Sequence, residues 1–131
     1  FYLGESKIAS RDFLFALMVA TVGERPLGLQ AGQIGAVAGW ANRIFRDGPV
    51  TVRAIGPRIS TAALIGAGLH PQNLSRLELV EALPSLKTAI EKNWNVRQTP
   101  ELFCFGLLEE FDIPQLRALV GEHRIESSFL K

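Results

Sequence analysis

The chain holds a single cysteine, Cys104, and two histidines, His70 and His123. One cysteine excludes an internal disulfide and a Cys-based zinc site, and two isolated histidines do not make a metal site. No metal and no cofactor is expected. Charge imbalance is also missing: 14 Lys and Arg against 13 Asp and Glu leave a net charge of +1. Without a strong field, neither nucleic acid nor an anionic membrane surface is an expected partner. No apolar run reaches bilayer length. The best candidate, Phe13 to Val22, is about half of the roughly 20 residues a span needs and reads as a buried helix. No basic segment precedes it, so a signal peptide is not expected. There are no repeats and no low-complexity segment. The sequence opens on Phe1 rather than Met, which reads as a processed product or a fragment. The lack of disulfides fits the cytoplasm without excluding export.

What is present is ordinary globular material. Across 131 residues, 47% are hydrophobic and 21% charged, enough for one domain with a real core. The rest of the chain is organised around Pro49 to Leu69. Val50 to Ile55 is an apolar run with β-branched residues and reads as a strand. Gly56-Pro57 is a tight turn, with Pro57 at a first helical position where a missing N–H costs nothing. Ser60 to Gly68 is a helix of small residues that can sit close against a sheet. Strand, sharp turn and buried helix form the layout on which α/β proteins build their sites.

The flanking segments extend this pattern. Phe1 to Ser10 is an irregular lead-in, and Ser10 or Asp12 caps a helix that Gly23 ends. Glu24 to Gly28 is a turn. From about Leu29 to Arg46, the apolar positions Ile34, Val37, Ala38, Ala41, Ile44 and Phe45 form a helical stripe, which Asp47-Gly48-Pro49 stops. Leu74 to Leu83 reads as a second strand. Strict alternation there puts Glu81 on the same face as Leu77 and Leu79. Two strands separated by a helix imply a βαβ unit and a parallel pair. Pro84 opens a helical segment reaching Asn93. Trp94 to Pro100 is a polar loop, and Glu101 to Glu110 a short apolar turn or helix. Asp112 and Gln115 have capping-box spacing at the start of a last helix, Ile113 to Val120. His123 to Ile125 opens a further strand.

The chemistry is sparse. The turn Ile55-Gly56-Pro57-Arg58-Ile59 carries no Ser, Cys or Asp at its tip, and Pro57 removes one donor an oxyanion hole would use. Ser60 is the nearest hydroxyl and the weak catalytic candidate. Its position inside the first helical turn reads as a polar residue satisfying the helix start. Gly56 and Arg58, at a helix N-terminus, are the candidate anion- or ligand-binding residues. The turn is not G-x-G-x-x-G, so a dinucleotide site has little support. Cys104, in Leu102-Phe103-Cys104-Phe105, reads as a buried inert thiol. His70 reads as exposed after a helix end, and Glu109-Glu110 as a solvated helix end. Asp12, Asp47 and Asp112 read as caps or turn residues, and Trp94 as packing over a core edge.

Three stretches together resemble bacterial α/β hydrolases of the acetyl xylan esterase and dienelactone-hydrolase-like branch. Glu24 to Ala41, E-R-P-L-G-L-Q-A-G-Q-I-G-A-V-A-G-W-A, resembles the G-R-P-L helix that precedes their nucleophile strand. V-T-V-R-A-I-G-P-R-I-S-T-A-A-L-I-G-A-G-L is similar to their elbow strand and following helix. Phe105 to Ile125 resembles their G-L-L-x-x-F-D-I-P-x-L-x-A-L-x-A-P-R-P segment. The departures bear on function. Gln33 replaces the usual acid of the first motif, the elbow serine is absent, and A-P-R-P has become Gly121-Glu122-His123-Arg124. The sequence stops before the family's acid and histidine, so no catalytic residue carries over.

The resemblance implies an α/β fold: a three-layer αβα piece of a partial, parallel α/β-hydrolase-type sheet flanked by helices. One partial domain spans 1–131, with 1–23 a leading helix segment, 24–125 the family-like core and 126–131 a tail. It implies a noncatalytic relative of carboxylic ester hydrolases, a pseudoenzyme. One alternative is an active esterase with Ser60 as displaced nucleophile and its triad completed outside this chain. Another is a small anion- or ligand-binding α/β domain. The expected partners are a small-molecule ester or anion, and, because a partial sheet leaves edges unpaired, a second copy or the remaining part of the same domain.

Overall fold

The computed structural model describes residues 11–46 and 50–130. The expected lead-in, the Ser10 cap and the Asp47-Gly48-Pro49 stop lie outside the described residues. In chain order the elements are α1 (Arg11–Thr21), α2 (Pro26–Phe45), β1 (Thr51–Ile55), α3 (Pro57–Leu69), β2 (Arg76–Ala82), α4 (Lys87–Glu91), α5 (Leu107–Glu110), α6 (Ile113–Val120) and β3 (Ile125–Phe129). Short 3₁₀ turns at Pro100–Leu102 and Glu122–Arg124 join them. Helix α2 starts three residues earlier than its apolar stripe suggests, because Pro26 occupies the first helical turn, where a missing N–H is harmless. Pro84 to Asn93 holds only the single short helix α4.

The three strands form one parallel sheet in the order β1-β2-β3. Helix α3 packs on this sheet, α6 lies beside α3, and α2 packs on α3. Their shared core joins Ala54, Leu77 and Leu79 of the sheet with Ala63, Leu64 and Ala67 of α3 and Ile113, Leu116 and Val120 of α6. Close contact between α2 and α3 depends on absent side chains: a Cβ on Gly66 would stand 2.9 Å from the Ala31 carbonyl oxygen.

The chain is therefore α/β, with a small parallel sheet and helices packed on it. The three layers expected from the resemblance are not seen among the described residues. On the sheet's other face Arg53 meets Glu78 (3.8 Å) and Arg76 meets Glu126 (2.8 Å), with Arg53, Arg76 and Glu126 largely in solvent and Glu78 partly so. Strict alternation in β2 also fails at one residue. Glu81 adopts φ 54°, and the pairing with β3 slips between Leu79 and Ala82. This irregularity turns Glu81 out to solvent and buries Ala82 in its place, so the apolar face stays apolar.

Asp112 caps α6 as its spacing suggests. Its carboxylate accepts from the Ile113 N–H (2.7 Å), while the Gln115 side chain accepts from the Asp112 N–H (3.1 Å). The same carboxylate also accepts from the Ser85 hydroxyl and the Leu86 N–H, both at 2.6 Å, and so ties α6 to the start of α4. Partial burial pushes its pKa up, but the Ser85, Leu86 and Ile113 donors and nearby Lys87 outweigh this and hold it below the ordinary range. A depressed carboxylate pKa contributes stability above the unfolded pKa, about 3.9, that is lost as pH falls through the folded value. Asp112→Ala should cost about 1–2 kcal/mol in urea denaturation near neutral pH. Asp112→Asn should reduce the fall in stability below about pH 4 relative to the parent.

Candidate functional site

The carboxyl end of β1 opens into a cleft of about 550 Å³. In open α/β sheets this is where ligands bind, and the volume lies within the range for small-molecule sites. One wall is the turn itself, Ile55 to Ile59. The other is the segment from Asn93 to Thr99, which brings Trp94, Asn95, Gln98 and Thr99 to the rim.

The turn is held by specific bonds. Gly56 has φ 89° and ψ 159°, a region open essentially to glycine alone. Its N–H donates to the Val80 carbonyl (2.8 Å), which locks the turn to the end of β2. Its carbonyl accepts from the Ser60 N–H (3.0 Å) and starts α3. No side chain caps this helix, and Pro57 is its first residue. The residue at the strand–helix corner is thus one with no side chain.

Ser60 does not reach the cleft wall. It is only 2% exposed, and its hydroxyl donates to the Ala54 carbonyl (3.3 Å), with the Val80 carbonyl at 3.5 Å. It joins α3 to the ends of β1 and β2, which corrects its reading as a residue satisfying the helix start: its hydroxyl donates to strand-end carbonyls and accepts no helix N–H. Neither histidine is near it within hydrogen-bonding reach: His123 is exposed, and His70 packs against Gly35 of α2. The half-burial of His70 corrects its reading as an exposed loop residue. Gly35 leaves room for the imidazole, since a Cβ there would lie 2.1 Å from the ring.

Arg58 makes a two-point ion pair with Glu101. Its Nε and Nη2 donate to the two carboxylate oxygens, the second at 3.0 Å. The Glu101 side chain is fully buried and that of Arg58 is 27% exposed. The guanidinium thus already has an anion, supplied by the protein, and the pair fastens the α3 terminus to the 3₁₀ turn beneath the Asn93–Thr99 wall. Glu101 was not singled out from the sequence. Its signal was an acid set between Pro100 and Leu102-Phe103, in a run otherwise apolar.

Trp94 packs against the core and lines the cleft at once. Cys104 is half-buried, less enclosed than its apolar run implies. Burial pushes its thiol pKa up, with Arg25 opposing, so the thiol form dominates and reactivity is low. Glu109 and Glu110 are exposed. Among the described residues, no three His, Cys, Asp or Glu side chains come together as a metal site, and no helix is long and apolar enough to cross a membrane. The chain matches no family model, no curated protein and no solved structure.

Proposed function

We propose that this chain is an α/β-hydrolase-like domain, related to carboxylic ester hydrolases, that does not itself catalyse ester hydrolysis. The observation that carries this reading is the strand–turn–helix corner: Gly56 holds the glycine-only conformation there, and the nearest hydroxyl, Ser60, is buried and donates to backbone carbonyls. A serine nucleophile needs an exposed oxygen and a base within hydrogen-bond reach, and Ser60 has neither among the described residues. The reading of Ser60 as a displaced nucleophile has correspondingly less support. The end positions of β1 and β3 in the sheet support a sheet completed by a second copy or by more of the same domain. Hydrolysis of p-nitrophenyl acetate tests the proposal. The parent and Ser60→Ala should release nitrophenolate at the same rate, no faster than an equal mass of an unrelated protein. Acceleration by the parent that Ser60→Ala abolishes would overturn it.

A specific observation favours a second role alongside the first. The cleft between the Gly56 turn and Trp94 is of ligand-binding size, which supports binding without turnover.

A further inference from the structure

We infer that the ligand of this cleft is an uncharged, ring-bearing small molecule rather than an anion; the inference rests on the binding role just proposed. Among the described residues, Arg58 is the sole charged one lining the cleft. Its guanidinium is matched at two points by the fully buried Glu101 carboxylate. An incoming anion would have to compete with an ion pair whose acid cannot leave, or approach that acid's own negative charge. The one charge in the lining is therefore already matched, despite the helix terminus at its edge. Burying a charge without a partner is costly, whereas a neutral ligand needs only hydrogen bonds for its polar atoms.

The rest of the lining fits that ligand. Ile55, Ile59 and Trp94 supply apolar surface, and the indole offers a face on which a flat ring can stack. Gln98 and Thr99 stand on the same wall and can meet a carbonyl, amide or hydroxyl. The Gln98 side chain is exposed, so its amide is reachable at the mouth.

Two fluorescent probes of nearly the same shape separate charge from size: the neutral phenylnaphthylamine and its sulfonated counterpart, anilinonaphthalene sulfonate. Titrated into the whole chain, the neutral probe should bind about tenfold tighter than the sulfonate, and Trp94→Ala should remove most of its binding. Gln98→Lys adds one positive charge at the exposed mouth. It should move the ratio of the two affinities about tenfold toward the sulfonate. Equal or tighter binding of the sulfonate by the parent, still dependent on Trp94, would overturn the inference and leave the cleft as a binding site. Binding of both probes that ignores Trp94→Ala would overturn the cleft reading itself and the inference with it.

Discussion

Arg58→Met should lower the stability of the fold by about 3–5 kcal/mol, because it strands a buried carboxylate without its partner. Glu101 has no exposed side-chain surface, so water cannot replace the guanidinium. The expected observation is a large drop in the urea midpoint with little change in slope. Pairing the substitution with Glu101→Leu should recover most of the loss, since an apolar pair of similar volume is often as stable as a buried ion pair. Arg58→Met, Glu101→Leu and the double variant thus form a cycle with strong coupling. Simple additivity would mean that the pair is not made in solution.

Gly66→Leu should be the most damaging change between the helices, at about 3 kcal/mol. The position of a Cβ at Gly66 is already 2.9 Å from the Ala31 carbonyl oxygen, which belongs to the backbone of α2 and cannot rotate away. Any larger side chain forces α2 and α3 apart, and both helices carry core residues. Gly68 provides the contrast two residues on. A Cβ there meets only Val120 Cγ2 at 3.9 Å, an ordinary contact. Gly68→Ala should therefore stabilise α3, by up to about 1 kcal/mol. Thermal or urea denaturation of the two variants should shift in opposite directions.

The fold was legible where local chemistry decides it. Val50 to Ile55, the Gly56-Pro57 corner, the small-residue helix and the Asp112–Gln115 cap all follow from residue type and spacing, and each is present as expected. Glu81 was misplaced because alternation assumes a regular strand, and its left-handed backbone breaks that period. The pairing of Arg53 with Glu78 and Arg76 with Glu126 requires knowledge of strand register, which no local pattern supplies. Within the candidate site, Gly56 could be placed from the chain because the turn it makes is local, whereas the Ser60 hydroxyl goes to the ends of β1 and β2, one of them 20 residues away. The partner of Arg58 could not. Glu101 lies 43 residues away, and nothing local marks an acid as the mate of a distant arginine. His70 was misread for the same reason: its neighbour Gly35 belongs to another helix.

The absence of a usable nucleophile at the Gly56 corner is the central claim, and intact-mass spectrometry after incubation with a fluorophosphonate tests it most directly. The folded chain should retain its unmodified mass, with Ser60 enclosed beneath the corner. A single stoichiometric adduct, mapped to Ser60 and lost in Ser60→Ala, would show an activated serine and contradict the account.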